Sequence, residues 1–119
     1  MPRHGSPVRI LLRTPWQGPW RSFTEPVRII EARRVADVRT ALRAVDEAVR
    51  AGSYAAGFVT YEAAAAFGLP AGPGDPRLPL LWFGIFPPDR VESLTRLPAG
   101  GAASFGEWVP SIECAAYVD

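Results

Sequence analysis

A chain of 119 residues has room for one domain with a small core. A hydrophobic content of 48% excludes a disordered tail, and a net charge of +1 gives no electrostatic reason to expect nucleic acid or an anionic membrane as partner. All thirteen basic residues are arginine, with no lysine and no asparagine anywhere, which reads as codon bias in a GC-rich genome rather than selection for bidentate contacts.

The aliphatic run over residues 8–12, bounded by Pro7 and by Thr14-Pro15, predicts a strand. Pro15, Gly18 and Pro19 predict a loop after it. Residues 27–32 predict a second strand after Pro26, with Val27, Ile29 and Glu31 on one face and Arg28, Ile30 and Ala32 on the other. From 37 to 50, Val38, Ala41, Leu42, Val45, Ala48 and Val49 recur at helical spacing and make one apolar stripe. Asp37 suits an N-cap or first-turn position, Asp46 and Arg50 form an i,i+4 pair, and Gly52 is placed for a left-handed cap.

Residues 54–61 predict a strand in which Gly57 marks close approach by another part of the chain. Residues 62–67 are alanine-rich and predict a short helix. The span 68–79 holds four prolines and three glycines and is a surface loop. Residues 80–86 form an apolar strand closed by Pro87-Pro88, and 91–97 and 104–109 read as further strands about a turn at 98–101. Ser111 then caps a helix over 112–118 that carries no stop signal, so the chain is expected to be the front part of a longer protein. The whole reads as α+β: mostly antiparallel sheet with one main amphipathic helix.

Little in the sequence carries chemistry. Cys114 is the lone cysteine, which excludes an internal disulfide and fits a reducing compartment. No apolar run approaches the roughly 18 residues of a membrane span and no secretory leader is evident, so the cytoplasm is the expected location. His4 has no partner at ligand spacing, and Glu113 beside Cys114 works against a reactive thiolate. Glu62 suits the first turn of its helix, while Asp75 and Glu107 read as solvated acids. Of the four tryptophans, Trp82 reads as core. Trp16 and Trp20, taken as loop residues beside Arg13 and Arg21, either line an aromatic pocket for a planar ligand or anchor the loop by packing.

Two blocks, Gly57-Phe-Val-Thr-Tyr-Glu-Ala-Ala64 and Pro79-Leu-Leu-Trp-Phe-Gly-Ile-Phe86, together resemble the N-terminal region of the chorismate-utilising enzymes, most closely component I of aminodeoxychorismate synthase. Leu11-Leu-Arg-Thr14 stands where that family has a Leu-Leu-Glu-Ser-like strand end, and Pro26-Val-Arg-Ile-Ile30 matches the strand that comes next. The segment from Trp108 through Tyr117 resembles the start of the family's catalytic domain. The resemblance thus implies two parts, an N-terminal region over 1–107 and the beginning of a chorismate-binding domain over 108–119.

For the full-length enzyme the resemblance implies conversion of chorismate and ammonia to 4-amino-4-deoxychorismate, for p-aminobenzoate and folate synthesis. The ammonia comes from a glutamine amidotransferase subunit, and Mg2+ holds the substrate carboxylates. Some members carry a fused lyase-like domain. The family's metal-binding acids and catalytic lysine fall beyond residue 119, so no catalytic or metal-binding residue transfers to this chain and the chain alone is expected to be inactive. The family's tryptophan-type pocket transfers to Leu12, Arg13, Thr14 and Trp20. There Arg13 stands in place of the acid and Thr14 in place of the serine, a departure from the feedback-binding pattern of the anthranilate synthase branch. The alternatives are component I of anthranilate synthase and a free-standing small-ligand-binding module. The strands over 54–60 and 80–86 are apolar on both faces, more than the single helix can cover, so self-association of the chain is expected.

Overall fold

The structure, a computed structural model, describes residues 8–13, 18–96, 100–104 and 106–107. The helix expected from Ser111, and half of the strand expected over 104–109, lie outside the described residues, as do Thr14 and Trp16. Ser104, Gly106 and Glu107, the described part of the 104–109 span, are in no strand.

Among the described residues, six strands form two three-stranded antiparallel sheets. The first has the order β1 (Arg9–Arg13), β2 (Trp20–Thr24), β6 (Val91–Leu94). The second has β3 (Arg28–Ala32) and β4 (Tyr54–Val59) flanking β5 (Leu81–Phe86). The expected α+β class with one main helix holds, but the strands divide between two sheets and β2 had no counterpart in the expected elements. Trp20 therefore opens a strand rather than sitting in a loop. The strand expected over 91–97 closes early, at Leu94.

Two chain segments cross from sheet to sheet side by side. β2 passes into β3 through Glu25, Pro26 and Val27, and β5 passes into β6 through Pro87 and a short 3-10 turn at Pro88–Arg90. Such bends are how packed sheets turn a corner. Glu25 adopts φ of 53°, a left-handed conformation that is costly for a residue with a Cβ. Arg90 holds it there: its guanidinium lies 3.2 Å from the Glu25 carboxylate and donates to the Glu25 carbonyl at 3.0 Å.

The helix α1 (Val35–Arg50) begins two residues before the expected start. Arg34 takes the extended N-cap conformation without a side-chain cap, and Asp37 lies in the first turn, ion-paired to Arg34 at 3.1 Å. Asp46 and Arg50 pair at 3.2 Å, as the spacing requires. The helix ends on Gly52 at φ of 106°, with the Gly52 amide donating to Val49 and the Ser53 amide to Ala48, the paired bonds of a Schellman stop.

The main core lies between α1 and one face of the second sheet, where Val38 and Ala41 meet Ile30, Ala32, Leu81 and Ile85. Val38 and Leu81 are fully buried, each worth about 1.5–3 kcal/mol on transfer from water. Among the described residues, the other face of that sheet is covered at one end only. There Phe86 and Ala56 pack on Phe23 from β2, with Ile10 and Val91 around them. β5 is thus apolar and largely buried on both faces, as expected. β4 is not: of its residues only Ala56 is buried, and Tyr54, Phe58 and Val59 are exposed.

Gly57 bears out the close approach predicted for it. A Cβ there would run into the carbonyl oxygen of Trp82 and come within 2.7 Å of the Phe83 Cα, both main-chain atoms of β5. After β4 the chain enters the short helix expected over 62–67, a 3-10 helix at Tyr61–Phe67, and leaves it through Gly68 at φ of 77°.

Candidate ligand-binding surfaces

The strand-end residues implied by resemblance come together only in part. Arg13 lies directly opposite Trp20 in the β1–β2 ladder, so both project from the same face of the sheet. The Arg13 guanidinium stands 5.7 Å from the Trp20 ring centroid and its Nε donates to the Gly18 carbonyl at 3.3 Å. A cation over an indole face at an exposed site contributes about 0.5–1 kcal/mol. Leu12 alternates to the opposite face, where it is exposed and pairs in register with Arg21. Thr14 lies outside the described residues. The Arg13–Trp20 pair therefore presents a flat aromatic surface with a guanidinium on it, and Leu12 does not share that surface.

A second surface was hidden from the sequence. On the face of the second sheet turned away from α1, Phe58 of β4 and Trp82 of β5 are register partners, and their rings stack at 6.4 Å between centroids and 13° between planes. They floor an open cleft of about 530 Å³, walled by Ile10, Leu78 and Pro79. Glu31 and Arg33 stand at its rim, 3.6 Å apart. Trp82 is accordingly half-buried, with one side toward the cleft, and not the enclosed core residue its apolar strand suggested. The signal available in the sequence was alternation: Tyr54, Ala56 and Phe58 share one face of β4, and Trp82, Gly84 and Phe86 share the matching face of β5.

A smaller cleft of about 460 Å³ lies under the proline-rich loop, between it and the 3-10 helix, with Glu62, Arg33 and Asp75 among its lining residues. Asp75 is engaged by Arg77, whose Nη2 lies 2.8 Å from Oδ2 and whose backbone N–H donates to Oδ1 at 2.8 Å. The Arg77 guanidinium, and after it that backbone N–H, hold the Asp75 carboxyl below its usual range. It is an ion-paired loop staple rather than an acid poised to exchange a proton at neutral pH. Among the described residues no three His, Cys, Asp or Glu side chains converge as a metal site, and no helix is long and apolar enough to cross a membrane.

The chain matches no model of a protein family, no curated protein and no solved structure.

Proposed function

We propose that this chain is the non-catalytic N-terminal region of a chorismate-utilising enzyme of the aminodeoxychorismate synthase component I type. The observation that supports the reading most is spatial. The two blocks that carry the resemblance meet as strand neighbours, running Gly57 to Phe83 through Val59 to Leu81 in register, and among the described residues the aromatic face they share lies open beyond its contact with β2. An apolar floor of that kind calls for a covering layer, and the catalytic domain of such an enzyme would supply one.

In this reading the chain's own residues contribute a scaffold: α1 and the corner at Glu25 and Arg90 hold the second sheet, and the sheet presents Phe58 and Trp82 to the rest of the enzyme. Mg2+ and the acids that hold it belong, in this reading, to the catalytic domain. The proposed reaction of the whole enzyme joins chorismate and ammonia, the latter from an amidotransferase subunit, to give 4-amino-4-deoxychorismate. The departure at Arg13 and Thr14 favours this branch over anthranilate synthase.

The test is to assay the 119-residue chain and the complete gene product side by side with chorismate, ammonium and Mg2+. The reading expects 4-amino-4-deoxychorismate from the complete product and none from the chain alone. Turnover by the chain alone, anthranilate as product, or no turnover by either would overturn it.

A further inference from the structure

We infer that the free edge of β4 is a self-association surface, on which a second copy of this chain adds its own β4 antiparallel about a two-fold axis through Ala56. The β3-β5-β4 sheets of the two copies would then join into one of six strands. The inference stands on β4 itself and is independent of the enzymatic reading above.

The hydrogen bonding sets which groups are free. The Thr60 amide donates to the Leu80 carbonyl at 2.9 Å, in line with the register that pairs Val59 with Leu81. Backbone groups alternate in direction along an antiparallel strand. Tyr54, Ala56 and Phe58 therefore aim their amides and carbonyls at β5, while Ala55, Gly57 and Val59 aim theirs outward. Among the described residues no strand takes them up.

Edge strands in soluble proteins are blunted by charge, proline or a bulge. From 51 to 61 this chain has neither charge nor proline, and Tyr54, Phe58, Val59 and Tyr61 are all exposed along that stretch. The composition also selects the occupant. A neutral strand meets its own copy without opposing like charges and offers a charged peptide nothing to pair with, and the net charge of +1 opposes association little.

The axis through Ala56 is the one that suits the side chains. It sets Tyr54 of each copy opposite Phe58 of the other on the face away from α1, an aromatic cross-strand pair made twice. On the α1 side it sets Ala55 opposite Gly57, so no bulky group crowds the axis. It also leaves Ala55 and Gly57, whose backbone groups point outward, as the hydrogen-bonded partners across the new ladder.

The experiment combines sedimentation velocity on the 119-residue chain with amide hydrogen exchange measured by NMR. With rising concentration the chain should pass from monomer to dimer, and the amides of Ala55, Gly57 and Val59 should slow by about ten-fold or more in step with the dimer fraction. The double variant Tyr54→Lys with Phe58→Lys places lysines opposite one another and should weaken the dimer by about ten-fold or more. Val27→Lys, at an exposed position off this edge, should leave it unchanged. Tyr54 also touches Phe23, and Phe58 stacks on Trp82, so the exchange measurement on the unaltered chain keeps the test independent of how the variant folds. A monomer at every concentration would overturn the inference. So would edge amides protected independently of concentration, which would mean the chain's own residues cover β4, or a dimer that the double variant leaves intact.

Discussion

The sharpest test of the fold is a single methyl group at Gly57. With a side chain in place, the new Cβ would collide with the Trp82 carbonyl oxygen and lie 2.7 Å from the Phe83 Cα and 2.8 Å from the Trp82 carbonyl carbon. A flexible neighbour would rotate aside, but these are backbone atoms of β5, held in ladders on both sides by β3 and β4. Relief must come from opening the β4–β5 ladder. Overpacking costs about 1–3 kcal/mol where side chains yield, and with main-chain hydrogen bonds strained as well we expect about 2–4 kcal/mol for Gly57→Ala. The ordinary effect of the same substitution is a gain of about 0.4–1 kcal/mol, from a less free unfolded chain. The sign alone therefore decides. Gly72→Ala is the control, because a Cβ at that position meets nothing within 4 Å. Urea unfolding monitored by circular dichroism should show a lower midpoint for Gly57→Ala with unchanged slope, and its melting temperature should fall by at least about 8 °C. A Gly57→Ala chain as stable as the parent would refute the close approach of β5.

Two further outcomes rest on particular contacts. The Asp75 carboxyl is held below its usual range by the Arg77 guanidinium first and the Arg77 backbone N–H second. Its contribution to stability is therefore present above the unfolded carboxylate value near ~3.9 and is lost as pH falls through the lower folded value. An NMR titration should place the Asp75 midpoint below that of a free aspartate, and Arg77→Ala should return it most of the way; an unmoved midpoint would break the assignment. If the strand end carrying Arg13, Thr14 and Trp20 binds tryptophan in the complete gene product, calorimetry should show affinity falling about two- to ten-fold in Thr14→Ala, the loss of one hydrogen bond. Unchanged affinity would remove the site from this strand end.

Most of the helical and turn structure was legible in the sequence because its causes are local. The stripe of Val38, Ala41, Leu42 and Val45 faces the core, Asp46 pairs with Arg50, and Gly52 takes the positive φ of a helix stop. Gly57 was legible too, since a glycine inside an apolar strand has few other uses. β2 was not. Its five residues are hemmed by Pro19 and Pro26, and its buried Ser22, which accepts a hydrogen bond from Arg9 Nε at 3.1 Å, interrupts the apolar alternation that marks a strand. The split into two sheets was invisible for a related reason. It turns on Glu25 at a positive φ, which no local signal announces, and on Pro87-Pro88, which reads as the end of a strand and serves as a corner between β5 and β6.

The open aromatic cleft shows the limit of strand reading most clearly. An apolar run such as residues 80–86 says that both faces want cover; it does not say which half of which face goes without. That is decided by register. Phe86 pairs with Tyr54 at one end of the β4–β5 ladder and Trp82 pairs with Phe58 toward the other. β2 reaches the first end, where Phe23 packs against Phe86 at 5.5 Å between ring centroids and against Tyr54 at 6.4 Å. Among the described residues, Phe58 and Trp82 at the other end stack on each other beside Ile10, Leu78 and Pro79, with Glu31 and Arg33 at the margin. The two halves of one sheet face, nearly identical in composition, thus acquire different fates. One closes as the small second core, and the other stays as an apolar floor rimmed by Glu31 and Arg33. Any occupant of that floor must satisfy both conditions at once: a flat apolar surface to stack on the indole, and polar groups at its margin to meet the ion pair.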